Sequence, residues 1–396
     1  LNRWNSGTDS ESLDGRRLGF ARASPWRFYL KMHNWFMWEA KKLAEKGRGK
    51  TSPNPMVGAL VVKEGAIVGK GYHERAGLPH AEILALREAG DRSKGADLYV
   101  TLEPCSFHGR TPPCTEEIIK AGVRRVYVGM KDPNPKVNGK GISYLKERGI
   151  LVECGFLQEE LKEMNEAYIK YITRKVPFVT LKLAFSVDGK IADYKGNSKY
   201  LSSEESLFLA HKMRYESDAI MVGVDTVIRD NPKLNIRFNF KDKILKRVVL
   251  DAFARIPTDS YLVKTAKEIP TIIFTSHEAP EERIKDLEEK GVTVKKVSKN
   301  GGLLNLKEVL KVLGSMEVTS ILVEGGAKLA SSFIKESLWD KLVVFVTPIF
   351  LGGNFSLLTD NGFLLSHAPR MHFKGVKVLE KDVMLTYYRE ETCSLV

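Results

Sequence analysis

The chain reads as an α/β protein built from two consecutive domains. Short apolar runs of strand character alternate with amphipathic helical stretches along most of its length. Its 396 residues suit two cores better than one. Midway, a charged helical stretch ends at Lys175, Val176 and Pro177, and a second run of strands follows. These observations place a leader at 1–31, a first domain at 32–175 and a second at 176–396.

In the first domain an amphipathic helix is expected from His33 to Lys46, with Trp35, Trp38, Ala40, Leu43 and Ala44 on its apolar face. Val57 to Val62 and Ile67 to Tyr72 read as a hairpin turning at Glu64 and Gly65. Ala81 to Ala89 is helical and stops at Gly90; Asp97 to Leu102 is a strand; Thr115 to Ala121 is helical and stops at Gly122. Arg125 to Gly129 and Ile150 to Cys154 are strands, with helices at Gly141 to Arg148 and Gln158 to Lys170. The expected architecture is a sheet between helices. In the second domain, strands are read at Phe178 to Phe185, Ala219 to Val222, Arg247 to Leu250, Thr271 to Phe274, Val292 to Val297, Ser320 to Val323 and Leu342 to Thr347. Helices are read at Ser203 to Arg214, Leu306 to Leu313 and Lys328 to Ser337.

Composition narrows the function classes. The net charge is +13. The excess is spread over both halves and forms no dense basic stripe, which argues against nucleic-acid binding and suits attraction of phosphorylated small molecules. No apolar run approaches a membrane span. Four cysteines in so long a chain are not a disulfide framework, and a reducing, cytoplasmic setting is expected. Cys154 is expected to be a buried thiol and Cys393 a free one. The leader has no apolar signal core and carries Asp9, Glu11 and Asp14; it is read as disordered or non-native, with no function attached.

The chemistry is written most plainly in His80 and Glu82, followed by Pro104, Cys105 and Cys114. One histidine and two cysteines can hold a zinc ion and leave its fourth position for water, the layout of a catalytic site. Glu82, two residues past the histidine, is free to shuttle protons. This is the signature of zinc deaminases, in which an asparagine near the start of the domain contacts the ring; Asn54, fixed between Pro53 and Pro55, matches that position. A structural zinc knot with His108 as fourth ligand would leave Glu82 and Pro104 without a purpose.

Deaminases commonly place two residues between the cysteines, whereas eight intervene here. With that insertion, and with the stretches Thr51 to Gly58, Gly71 to Gly77 and Asp132 to Pro135, the chain resembles the bifunctional deaminase/reductases of riboflavin biosynthesis from about Met32 onward. The resemblance implies a cytidine-deaminase-like α/β/α sandwich followed by a dihydrofolate-reductase-like α/β domain, one zinc ion, NADPH, a phosphorylated pyrimidine substrate and assembly into a dimer or tetramer. It also implies that His108 and Arg110 help to hold the first substrate, with His73, Lys131 and Asp132 as weaker candidates.

For the second domain the resemblance implies a role for Lys182 beside the substrate ribose; Asp188 also matches. Ser198, Arg214, Leu234, Arg237 and Glu324 would meet substrate, with Arg214 and Arg237 on its phosphate. Ala184, Tyr200 (often tryptophan in the family), Thr226 and Asp230 would meet NADPH. The glycine-ended strand at Glu324 and the helix after it would hold the cofactor diphosphate through Gly325, Gly326, Ala327, Lys328, Leu329, Ala330, Ser331 and Ser332. No G-x-G-x-x-G follows the first strand, so a standard Rossmann site is excluded. A chain whose second domain only scaffolds a deaminase is the alternative reading.

Overall fold

A computed structural model describes residues 25–107, 112–197, 201–238, 240, 243–358 and 362–390. The first domain runs α1 (Pro25–Ala44), β1 (Gly58–Lys63), β2 (Ala66–Tyr72), α2 (Ala81–Ala89), β3 (Asp97–Leu102), α3 (Cys114–Lys120), β4 (Arg125–Met130), α4 (Lys140–Glu147), β5 (Leu151–Cys154), α5 (Gln158–Met164) and α6 (Glu166–Arg174). Its sheet order is β2-β1-β3-β4-β5, with β1 antiparallel to both neighbours and β3, β4 and β5 parallel. The central strands β3 and β4 are buried almost throughout, which is why they read as continuous apolar runs.

Two glycines show how helices cover both faces. A Cβ at Gly58 would lie 2.0 Å from the Ala40 carbonyl oxygen of α1, and one at Gly71 would lie 2.4 Å from the Ala81 carbonyl oxygen of α2. Gly71 pairs with Ala59, the neighbour of Gly58, so the two glycines point to opposite faces. Any side chain at either position would push its helix off the sheet.

Two helix boundaries and the burial of one cysteine differ from the sequence expectation. The first helix starts at Pro25, inside the stretch read as leader, because Tyr29 and Leu30 pack on the core and Tyr29 Oη donates to Glu153 Oε1 at 2.7 Å. The helix expected from Gln158 to Lys170 is broken at Asn165, whose side chain accepts from Met56 N (2.8 Å) and donates to Met56 O (3.0 Å). Cys154, expected buried, is exposed on the edge strand β5; Cys393 lies outside the described residues.

The second domain runs β6 (Phe178–Ser186), α7 (Glu204–Glu216), β7 (Ala219–Gly223), α8 (Val224–Asp230), β8 (Lys246–Leu250), α9 (Tyr261–Lys264), β9 (Thr271–Thr275), α10 (Glu281–Glu289), β10 (Thr293–Lys296), β11 (Lys299–Asn300), β12 (Leu303–Leu304), α11 (Leu306–Ser315), β13 (Ser320–Glu324), α12 (Ala327–Lys335), β14 (Lys341–Thr347), β15 (Met371–Val378) and β16 (Val383–Arg389). Nine of these strands form one sheet in the order β10-β9-β8-β7-β13-β6-β14-β16-β15. It is parallel from β10 to β14, and β16 and β15 are added antiparallel. β6 and β13 run side by side with Lys182 opposite Glu324, so one parallel register sets those two residues together.

The domains are tied by buried polar contacts. Lys170 on α6 donates to Asp340, which also accepts from Val179 N at 2.7 Å and is 1 % exposed. Glu166 takes Lys341 Nζ at 2.9 Å and the Tyr388 hydroxyl. Burial pulls the Lys170 ammonium below the ordinary lysine range even with Asp340 raising it. Exchanging Asp340 for alanine leaves that ammonium buried and removes its counter-ion. It should cost about 3–5 kcal/mol of stability, read by denaturant unfolding of the full chain.

Candidate active sites

His80 is the N-cap of α2, Cys105 follows the end of β3, and Cys114 opens α3. The fold thereby brings two helix starts and one strand end together. His80 Nδ1 lies 3.2 Å from Cys114 Sγ and 3.7 Å from Cys105 Sγ, and all three donor atoms fall within 4.8 Å of one another. Tetrahedral ligands with bonds of roughly 2.0–2.3 Å stand about 3.5 Å apart, so the trio fits zinc without rearrangement.

The electrostatics agree. Cys105 is driven toward thiolate by the hydrogen bond from Cys114 and by His80, against its burial; Cys114 is pushed up by giving that bond and by burial. A bound dication would favour the thiolate form of both cysteines. His80 is raised, chiefly by its bond to Cys105. Beside them Glu82 is 3 % exposed, and its Oε2 has no hydrogen-bond partner among the described residues. Burial raises its carboxyl above the usual range. A buried carboxylate oxygen without a donor is costly unless something enters to use it.

His80, Glu82 and Cys105 line a cavity of about 350 Å³ with Asn54, His73, Phe107, Asp132, Asn134, Tyr168, Lys175 and Glu317 in its walls. His73 Nδ1 donates to the Pro79 carbonyl (3.2 Å), which leaves Nε2 to accept from Asn54 Nδ2 (3.0 Å). That fixes the amide of Asn54 and leaves its carbonyl oxygen for a ligand. His73, read as a weak candidate, is buried and kept neutral by that burial. Asp132 accepts from Tyr168 Oη at 2.9 Å and is raised to about 6 by burial. Lys131 does not line the cavity and lies against Gly139, so it is set aside as a ligand contact. His108 and Arg110 lie outside the described residues.

Sequence reasoning missed Tyr168, Asn134 and Glu317, and also Glu103. That last carboxylate sits at the strand end before Pro104 and accepts from Asp132 N (3.2 Å), Gly139 N (2.9 Å), Gly141 N (3.0 Å) and Ile142 N (3.2 Å). It pins the loop carrying Asp132 and Asn134 against the cysteine strand. An acidic residue directly after an apolar strand was the available signal.

In the second domain Lys182 is half-buried, with Nζ 5.3 Å from the centroid of the Phe345 ring, and its ammonium is lowered by burial with Glu324 opposing. Arg214 makes a two-pronged contact with Glu324, Nε to Oε1 and Nη2 to Oε2, both 2.7 Å, and gives Nη1 to Asn235 O at 3.0 Å. These contacts use three of its five N–H donors. Arg237 N donates to His211 Nδ1 at 3.2 Å; His211 was not singled out from sequence. It is buried, and burial with Arg214 and Arg237 nearby holds it down to about 4.

Thr226 on α8 comes up to the glycine pair, since a Cβ at Gly326 would lie 3.4 Å from its Oγ1. Gly325 and Gly326 have φ of 76° and 80°, which side-chain-bearing residues avoid, and α12 starts directly after them. Of the residues expected along this helix start, Lys328 is exposed, with Nζ 3.7 Å from Asp225 Oδ2. Leu329, Ala330 and Ser331 are buried, and Ser331 Oγ donates to Leu357 O. Ser332 Oγ donates to Lys328 O at 2.9 Å. Gly325, Gly326, Ala327 and Lys328 thus form the more exposed start of this helix, whereas Leu329, Ala330 and Ser331 turn inward. Leu234 packs into a buried cluster with Val224 and Val227 and offers no side chain to a ligand. Asp188 is spent on Ser186 Oγ (2.6 Å), Gly352 N (2.7 Å) and Leu351 N (3.1 Å) and is held down to about 2 by them, the serine first. Ala184 lies on β6 opposite Phe345, and Asp230 closes α8. Ser198 and Tyr200 lie outside the described residues.

The trio with its adjacent carboxylate defines a zinc-dependent deaminase site, joined to an α/β domain whose glycine-ended strand suits a reductase. Residues 30–130 match the cytidine and deoxycytidylate deaminase zinc-binding region, and residues 177–385 match the RibD C-terminal domain. The riboflavin biosynthesis protein RibD of Aquifex aeolicus is 44% identical over 354 residues, which cover 89% of this chain and 98% of that protein. That of Escherichia coli is 37% identical over 374 residues, covering 89% and 98%. The solved structure of RibD from Acinetobacter baumannii (form 1) has a TM-score of 0.82 at 34% identity, covering 91% of this chain and 99% of that one. A deaminase/reductase structure from Thermotoga maritima has a TM-score of 0.81 at 35% identity, covering 91% and 99%. The chain belongs to the RibD family of riboflavin biosynthesis proteins, and is a bifunctional enzyme with a deaminase domain followed by a reductase domain.

Proposed function

We propose that the first domain hydrolyses the 2-amino group of 2,5-diamino-6-(5-phosphoribosylamino)pyrimidin-4(3H)-one, and that the second reduces the ribosyl side chain of the product to give 5-amino-6-(5-phosphoribitylamino)uracil. The Thermotoga maritima relative carries both activities in its name. The observation that carries the reading is the buried Glu82 Oε2, without a hydrogen-bond partner among the described residues, beside His80, Cys105 and Cys114.

His80, Cys105 and Cys114 would hold zinc, which when bound makes water nucleophilic at neutral pH. Water would add across the ring C=N bond, one of its protons passing through Glu82 to the ring nitrogen; the carbon–amine bond would then break as the remaining hydroxyl proton passes through Glu82 to the departing amine, so that amine plus water becomes carbonyl plus ammonia. Asn54, braced by His73, would orient the ring through its free carbonyl oxygen. In the second domain NADPH supplies hydride to the ribosyl carbon. Lys182 would place a cation, or a proton, at the oxygen that takes up charge there, with Glu324 opposite it on the neighbouring strand favouring the charged form. Arg214, through the N–H donors not used on Glu324 and Asn235, and Arg237 would meet the phosphate, with Thr226, Gly325, Gly326, Ala327 and Lys328 as the cofactor cradle.

Mass spectrometry of the product tests this. Without NADPH the diaminopyrimidine should gain the mass difference of oxygen replacing NH; with NADPH it should also gain a pair of hydrogens. Only the first change would mean that the second domain is a scaffold. Chelation of the metal should abolish the first conversion, zinc should restore it, and reduction of the deaminated intermediate should continue unchanged, as an NADPH absorbance assay would show.

Assembly into a dimer or tetramer through the second domain is part of this reading. The edge strand β15 leaves Met371, Phe373, Val376 and Val378 exposed, an apolar row on an unpaired strand edge. A cytoplasmic location is likewise proposed. No helix among the described residues is long and apolar enough to cross a membrane, and the cysteines of the zinc trio must remain reduced.

A further inference from the structure

The loop that carries Asn54 is held from both domains. On one side Asn165 of the deaminase domain clasps Met56 through both its amide atoms, at 2.8 and 3.0 Å. On the other side Ser52 Oγ donates across the domain seam to Asp218 Oδ2, at the start of the reductase strand β7, at 2.6 Å. The same oxygen accepts from Thr319 N and Thr319 Oγ1, both at 2.8 Å, and Oδ1 faces Lys243 Nζ at 3.8 Å. Asp218 is 7 % exposed. Three groups besides Ser52 therefore hold this carboxylate, and the carboxylate, together with Thr319 Oγ1 at 3.1 Å from Ser52 Oγ, fixes Ser52, two residues before Asn54.

Between these anchors the loop has little freedom. Pro53 and Pro55 flank Asn54, and Asn54 N donates to Thr51 O at 2.9 Å. The deaminase cavity also takes Glu317, a residue of the reductase domain, into its wall beside Pro53 and Asn54. The deaminase site is thus not completed by its own domain.

We propose that Asp218 is a positioning residue for deamination: the reductase domain, through Asp218 and Ser52, sets where Asn54 meets the pyrimidine. This rests on Asn54 contacting the ring, as read above. Release of Ser52 lets the loop shift by a fraction of an ångström at a ligand contact, enough to weaken binding without touching the groups that move protons.

The test measures both activities on the same zinc-loaded full-length preparations of wild type, D218A, D218N, S52A, N54A and the D218A/S52A pair. D218A should raise the deaminase KM on the order of tenfold, with kcat within about threefold, and leave the reductase kcat and KM at wild-type values. S52A should show the same split, and the pair should be no worse than either alone, because both changes remove one link. D218N should recover most of the loss, since its amide oxygen still accepts from Ser52. Wild-type deaminase KM in both D218A and S52A overturns the proposal, as does a parallel fall of both activities. If D218A does not fold, S52A decides on the same criteria. If N54A itself deaminates normally, the proposal also fails, but at Asn54 and not at Asp218, which tells the two failures apart.

Discussion

Exchange of Glu82 for glutamine should leave a folded, zinc-loaded protein that reduces but no longer deaminates. The amide keeps the shape of the carboxylate and cannot take a proton, so the loss is confined to proton transfer. A fall of about 10²–10⁴-fold in deaminase kcat is the range such groups contribute. Because Glu82 is buried with one oxygen unused by the protein, the substitution breaks no hydrogen bond at that oxygen. Metal content measured by elemental analysis should match wild type, and kcat followed by ammonia release should collapse. Retained turnover would mean that another group carries the proton, and loss of zinc would make Glu82 a ligand.

The second large effect is expected at Lys182. Lys182→Met should lower reductase kcat/KM by about 10²–10³-fold, the usual cost of removing one charge-stabilising group from an enclosed site. The fold should survive, because Glu324 keeps its two-pronged contact with Arg214 when Lys182 is gone. The pH profile carries a separate signature. Burial favours the neutral amine and lowers the ammonium below the ordinary lysine value. If the charged form is the active one, reduction runs below that lowered value and fails as pH rises through it. The alkaline limb of reductase kcat/KM should therefore sit lower than an ordinary lysine would place it. The deaminase profile, measured on the same samples, should show no such displacement in response to Lys182→Met.

How much was legible follows from what each feature demands. Zinc accepts few ligand types, so His80, Cys105 and Cys114 declared themselves by identity and spacing, and Glu82 by its offset from the histidine. Strands buried on both faces, such as β3, must be apolar throughout and were read residue for residue. The misses have the opposite character. α10 is so charged that only Ile284 and Leu287 turn inward, too few to set a period. β15 is half of a ladder whose register shifts between Phe373 and Gly375, which disrupts the alternation that marks a strand. Tyr168 and Glu317 reach the deaminase cavity through packing between distant segments, and no local pattern announces that. Arg214 shows what resemblance leaves unsaid: the residue was named, but its two-pronged contact with Glu324 was not legible from either segment alone.

The buried pair of Lys170 and Asp340 bears on any attempt to harvest one activity as a stand-alone biocatalyst. A cut near Val176 would seem natural, yet it would strand a cation on the surface of one fragment and leave Glu166 without the lysine and tyrosine that now hold it. Such fragments would come out sticky and poorly soluble unless the newly bared faces were recoloured with compatible side chains first. Separating the two chemistries is better done by silencing one reaction centre within the intact chain.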